Sequence, residues 1–543
     1  MYSKYLLLVY GILFFSAGSF AQNLPSDFYD QRIFSQLDFP TGIAFDAGGQ
    51  GYIWQKRGIV RILRPNNTIA PQPLIDISEE VSNWKDHGLM GFALDRDFLS
   101  NGYFYLLYAV DLHHYHHYGT PDYQSDSTVT FQATFGRVTR YQADPATGFR
   151  SILPGSRKVL LGEHPGDGIP ITWEFHGLGS IITGSDGTLL ISCGDGSSSL
   201  GPDKGGDLLG TMASQAIQTG IMTPDQDLGS YRALYSGSLN GKILRIDPAT
   251  GDGLPSNPYF NPAAPRSPQS RIWLSGLRNP YRIALRPGTG NHYPQFGDPG
   301  VIYIGDVGNG QWEELNIAET GGLNFGWPVY EGYYWDWNFY VAGSNPHPDA
   351  VNPLFNTGGC NQEFLTFHDL MALPTPGGEV FHPNPCNPSI PIPDSLPVWV
   401  QRMPVLSWSN SQWNPPIRTE TMTFHEQGYP IGMSILDSQS TVSGEIFGGY
   451  SSLAGVFYTG QQFPEIYHGK YFGVDFSGWV KVFHFDENNR LKSVTPFHQM
   501  AKDIIHLAIN PADGTLYYIN LQGHIRKISY GGNPLPSAVI EAD

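Results

Sequence analysis

The chain has 543 residues, including 64 Gly and 43 Pro, with 40% apolar and only 15% charged residues and a net charge of −18. Gly and Pro at this density argue against a helix bundle, since they cost a helix interior roughly 1 and 3 kcal/mol each. The acidic balance excludes nucleic acid as a partner, which needs a basic face. In chain order, residues 1–21 read as a secretory signal peptide: Lys4, an apolar run from Tyr5 to Phe15, then Ser19-Phe20-Ala21 before Gln22. No later stretch approaches the ~20 apolar residues of a membrane span. The expectation is an exported chain, secreted or periplasmic, with no transmembrane segment.

From residue 42 onward one phrase recurs six times. It consists of an apolar strand, a turn rich in Asp and Gly, a second apolar strand, and a third that often ends in a basic residue. The copies begin at Gly42-Ile43-Ala44-Phe45, Gly91-Phe92-Ala93-Leu94, Ser180-Ile181-Ile182, Arg282-Ile283-Ala284-Leu285, Gly455-Val456-Phe457-Tyr458 and His506-Leu507-Ala508-Ile509. One such unit cannot cover both of its faces, whereas six arranged radially bury them on one another and leave few exposed edges. The pattern predicts an all-β, six-bladed β-propeller over residues 22–530 with long inter-strand insertions. The largest insertion is residues 330–445, and 531–543 is a linker-like tail.

The insertions carry local features. His113, His114, His116 and His117 could bind a transition metal, although a loop-packing role is the commoner use. Trp335 and Trp337 could stack on a sugar ring or form the core of the insertion. Cys360 and Cys386 lie in one Pro-rich stretch, and an oxidising compartment would let them pair. Cys193, in an apolar run, reads as a buried thiol.

Several stretches together resemble the soluble quinoprotein glucose/sorbosone (aldose sugar) dehydrogenases. They are Trp173 to Ser197 with His176 and Gly194-Asp195; His87-Gly88-Leu89-Met90-Gly91; Ser238 to Arg245; Gly276-Leu277-Arg278-Asn279-Pro280; Asp306-Val307-Gly308; and Gly322 to Pro328. The resemblance implies a propeller that holds pyrroloquinoline quinone (PQQ) with Ca2+ and oxidises the CH–OH group of an aldose or related alcohol. Electrons would pass to an external acceptor. It places His176 as general base, for which imidazole is suited near neutral pH. It places Arg278 and Asn279 at the quinone oxygens, where a guanidinium would stabilise developing negative charge. Gly308 and Asn309 match carbonyl ligands of the cofactor's calcium, and Glu314 with Phe325 a second calcium site. Asp86 stands where the family has a cofactor-binding glutamine. The late-blade stretches Asp475–Gly478 and Ile504–His506 lack the family's Lys and Arg, leaving His506 as the candidate cation there. Two other functions stay open: a calcium-stabilised, non-catalytic propeller that binds carbohydrate or protein, and a lactonase-type hydrolase.

Overall fold

The computed structural model describes residues 24–499 and 503–531. Six antiparallel sheets form a six-bladed β-propeller. The innermost strands, Pro40–Phe45, Leu89–Leu94, Leu178–Thr183, Arg282–Leu285, Ser452–Phe457 and Ile504–Ile509, each neighbour the next, and the last returns to the first. The signal peptide and most of the tail predicted from sequence lie outside the described residues.

Local chemistry explains the hairpins. In the third blade Asp186 accepts hydrogen bonds from the Thr188 backbone N–H at 3.0 Å and its hydroxyl at 2.6 Å. Gly187 between them has φ +80°, a left-handed conformation that costs glycine little. Asp513-Gly514-Thr515 repeats the turn in the sixth blade, with Gly514 at φ +69°. The turn therefore places two apolar strands side by side through contacts local in sequence.

Two features of the ring do not follow from the repeat. Phe28–Phe34 pairs antiparallel with Ile525–Tyr530 and supplies the fourth strand of the last blade, so the two ends of the described chain close the ring. The fourth blade also has six strands: Leu406–Ser409, Thr419–Phe424 and Pro430–Ser434, all from within residues 330–445, extend it outward. The rest of that segment forms small two-stranded sheets, and the Cys360–Cys386 disulfide ties it together. Cys193 is fully buried, as expected.

Blades pack through their faces. A Cβ on Gly91 would stand 2.8 Å from Ile181 of the next blade. Arg282 spans the central channel: its guanidinium donates to the carbonyls of Thr41, Met90 and Gly179, which belong to the inner strands of the first three blades. Among the described residues, no helix is long and apolar enough to cross a membrane.

Candidate active site

At one end of the channel lies a pocket of about 540 Å³, within the range of small-molecule sites. Its apolar surface comes from Phe39, Met90, Tyr281, Leu453, Phe476 and Ile505, drawn from five blades. Its polar side carries Lys56, Asn83, Lys85, Asp86 and Asn279. Lys56 Nζ donates to Asn83 Oδ1 at 3.0 Å, and Lys85 Nζ is 3.6 Å from Glu174. Burial pulls the Lys56 ammonium below its usual range, and Asp86 opposes the shift. The same walls push the Asp86 carboxyl up to about 6, though its side chain still opens to the pocket. Two cations thus reach the pocket from the first and second blades. The family resemblance places such cations in the late blades instead.

His506 is not one of them. Its ring packs edge-on against Trp54 at 5.3 Å, in a separate cavity of about 280 Å³. Burial pushes its pKa down to about 3, so it is neutral near pH 7. The expected late-blade cation is therefore absent from that position.

Against the Asn279 and Val307 wall stands a second layer. Asp306 accepts from the backbone N–H of Arg278 at 3.0 Å and of Asn279 at 2.7 Å. This bidentate grip fixes the Arg-Asn-Pro turn. The Arg278 guanidinium donates to the carbonyls of Val307 at 2.9 Å and Gly308 at 2.6 Å, and to Asn309 Oδ1 at 3.2 Å. It lies 5.4 Å over the Trp327 ring. The Arg278 carbonyl accepts from Asp195 N–H at 2.8 Å.

His176 joins this layer from the loop before Leu178. Its φ is +56°, an uncommon conformation for a side chain of this size. The Gly194–Gly196 loop crowds its backbone: a Cβ on Gly194 would meet the His176 carbonyl at 2.2 Å. His176 Nδ1 is 3.5 Å from Asp195 Oδ1, too long for a full hydrogen bond. Asp195 is itself held by Ser197 and by Trp327 Nε1 at 2.8 Å. Burial would raise the Asp195 carboxyl, but the His176, Arg278 and Ser197 contacts outweigh it and leave it at about 2. Burial, and then the Arg278 charge, keep His176 below its usual pKa against the pull of Asp195. It is a neutral imidazole with a carboxylate behind one nitrogen.

Behind Arg278 is a cavity of about 10 Å³, lined by Asp306, Gly308, Glu314, Phe325 and Glu331 among others. That is room for one water-sized occupant. Gly308, expected at the cofactor's calcium, and Glu314 and Phe325, expected at a second calcium, thus line one cavity rather than two separate sites. The fourth expected ligand, Asn309, donates its N–H to Glu331 Oε1 at 2.6 Å. Burial raises the Asp306, Glu314, Glu331 and Asp336 carboxyls; repulsion between neighbours adds to it at the first three, whereas a hydrogen bond to Glu331 opposes it at Asp336. One guanidinium, Arg278, offsets it in part at Asp306, Glu331 and Asp336. A hard cation takes oxygens of this kind, although the carboxylates among the described residues do not converge as a closed metal centre. The Gly308 and Phe325 carbonyls already accept from Arg278 and from Gln401 Nε2 at 3.2 Å, but each carbonyl oxygen has a second lone pair.

Sequence reasoning missed Lys56, Lys85, Glu331 and Asp336 as site residues; none stands in a recognisable spacing. The histidine cluster is packing. Asp111 caps the short helix Leu112–His117, His113 stacks on Tyr123, and His114 stacks on Tyr118. Among the described residues, no group of three or more His, Cys, Asp or Glu side chains converges as a metal centre. Trp335 packs on Tyr330, and Trp337, 65% exposed, stacks on Tyr340 at the surface of the insertion.

The glucose/sorbosone dehydrogenase family profile matches residues 37–359. The HIPL1 and HIPL2 proteins of Arabidopsis thaliana are 25% and 27% identical over 320 and 335 residues. These matches cover 53% and 56% of this chain but only 39% and 42% of those proteins. The chain thus spans about two-fifths of the length of the curated relatives it matches. Among solved structures, the apo-form of the soluble aldose sugar dehydrogenase of Escherichia coli aligns with a TM-score of 0.50 at 16% identity, covering 93% of this chain and 100% of that one. A glucose dehydrogenase crystal structure aligns with a TM-score of 0.51 at 16% identity, with the same coverage. At that identity these likenesses show the fold.

Proposed function

We propose, for a chain that belongs to the glucose/sorbosone dehydrogenase family, an exported oxidoreductase that oxidises the CH–OH group of an aldose sugar or related alcohol. The observation that carries this reading is Asn279, which lines a pocket that also holds two lysines, with Arg278, Asp195 and His176 linked to one another in the layer behind it. Two ammonium groups, the Asn279 amide and several apolar side chains line the pocket beside Asp86, and such a lining would suit an anionic planar cofactor such as PQQ. PQQ, when bound, supplies the two-electron acceptor for the substrate's C–H hydride.

The chain's own residues do the rest. Lys56 and Lys85 attract and hold carboxylates. Neutral His176 takes the substrate's hydroxyl proton at Nε2, while Asp195 stabilises the imidazolium that forms. Arg278 sets positive charge beside the site where negative charge develops. Glu314, Glu331, Asp306 and the Gly308 and Phe325 carbonyls would hold calcium. An external acceptor would then take up the two electrons removed from the substrate, and His176 would release its proton to solvent. The disulfide in the insertion supports an oxidising compartment.

The test adds PQQ and CaCl2 to purified protein and follows cofactor absorbance and glucose-dependent dye reduction. His176→Ala should retain the absorbance and lose about 100-fold or more in turnover, the scale of general base catalysis. Absence of PQQ binding at micromolar concentration would leave the calcium-stabilised, non-catalytic propeller, a reading that the missing late-blade cations favour.

A further inference from the structure

The indole of Trp327 touches both charged neighbours of His176. Its Nε1–H donates to Asp195 Oδ2 at 2.8 Å, and the Arg278 guanidinium lies 5.4 Å over its ring, within cation–π range. The ring has little freedom. The Trp327 backbone N–H donates to the Gly276 carbonyl at 3.0 Å, just ahead of Arg278, and Phe339 packs edge-on against the indole at 5.3 Å. The residue is 4% exposed. One buried ring therefore fixes where a carboxylate and a guanidinium stand beside the same imidazole.

The geometry of Asp195 shows what this arrangement does. The residue is wholly buried; Oδ2 accepts from Ser197 Oγ at 2.6 Å as well as from Trp327, and Oδ1 accepts from the Ser197 N–H at 3.0 Å. Oδ1 stays 3.5 Å from His176 Nδ1, beyond a full hydrogen bond. Each donor on the carboxylate draws negative charge away from His176. Without the indole N–H, Asp195 would carry more charge toward the imidazole and would be free to close that gap, and both changes favour the imidazolium. Arg278 acts the other way, since its charge disfavours a second cation. Asp195 and Arg278 are the charged groups that bear on His176.

We propose that Trp327 is a positioning residue for the base: its N–H holds Asp195 back from His176 and its ring face seats Arg278, so that the imidazole enters each turnover unprotonated. This rests on the reading of His176 as the general base. Trp327 acts through its two charged partners.

The test follows the His176 ring by histidine-selective NMR across pH in cofactor-free full chain, the signal being assigned by its loss in His176→Ala. His176 should titrate below the ordinary imidazole range in the wild-type protein and about one pH unit higher in Trp327→Phe, which keeps a ring face but removes the donor. In protein loaded with PQQ and calcium, the rise of turnover with pH should move up by the same amount. Phe339→Leu, which disturbs the packing of the indole but not its N–H, should leave the His176 titration in place. A titration that stays or falls in Trp327→Phe overturns the proposal. So does an equal rise in Phe339→Leu, because packing alone would then account for it. If Trp327→Phe does not fold, benzothienylalanine placed at this position, with sulfur for the N–H in a ring of nearly the same shape, decides the matter. The titration needs no cofactor, so a failure to bind PQQ removes the proposed oxidation and leaves this measurement to judge Trp327 by itself.

Discussion

Buried carboxylates around the ring and those beside the fourth blade meet opposite electrostatic surroundings. Glu80 receives Arg137 and Arg157 at 2.6 Å each; Asp167 receives Arg266 and Arg271 at 2.9 Å; Asp30 faces Arg526 at 2.9 Å. Burial would raise all three, but the facing guanidiniums, and at Asp30 first the His498 hydrogen bond, outweigh it and hold them below the usual carboxylate range. Beside the fourth blade, burial raises Asp306, Glu314, Glu331 and Asp336, and the Arg278 charge offsets it only in part at Asp306, Glu331 and Asp336. The first group is internally neutralised and serves the fold. The second is short of positive charge in the place where family resemblance puts a divalent ion.

The comparison can be broken most decisively on the paired side. Arg245 and Asp186 form an ion pair at 2.7 Å with neither side chain exposed. Arg245→Ala leaves a buried, unpaired carboxylate and should cost about 3–5 kcal/mol in urea unfolding. A cost under 1 kcal/mol would mean that these pairs do not neutralise buried charge as described. On the unpaired side, calcium added to EDTA-stripped protein should stabilise it by about 2.7 kcal/mol at a hundredfold excess over Kd. Glu331→Gln should weaken that gain while costing the metal-free protein little, the reverse of Arg245→Ala.

Dependence on pH sharpens the contrast. In the raised group the folded state keeps protons that the unfolded chain has released. Stability of the metal-free protein should therefore fall as pH rises above the ordinary carboxylate range, by at most about 1.4 kcal/mol per pH unit per group. In the paired group the folded state releases protons first. Its stabilisation is present above the ordinary range and lost as pH falls through the lowered folded values. Bound calcium should remove the first slope and leave the second, as unfolding followed from about pH 2 to pH 8 would show. The smallest effect is the control: Arg402 and Glu319 pair at 2.8 Å with side chains 40% and 35% exposed. Arg402→Ala should cost about 0.2–1 kcal/mol at most.

Much of the propeller was legible because hairpins are local. Asp186-Gly187-Thr188 and Asp513-Gly514-Thr515 bend the chain with their own side chains, and the alternating apolar strands flank them. Much of the candidate site was legible for a related reason. Arg278-Asn279 and His176 sit in short motifs whose loops are stapled by neighbours in sequence or by one blade's turn. Some expectations did not survive the tertiary structure. His506 falls in register with the expected clamp, yet it turns into a cavity beside Trp54.

The order of residues alone determined the six strand–turn–strand units, the acidic surface balance, and the motifs that carry His176, Arg278 and Asn279. Only the closed ring decided that Phe28–Phe34 pairs with a strand some 500 residues later. The ring also decided that Lys56 and Lys85 face the channel pocket, and that Glu331 and Asp336 lie behind Arg278. Hairpin geometry is set by neighbours along the chain, whereas charge compensation and burial depend on which distant loops the ring brings to one mouth.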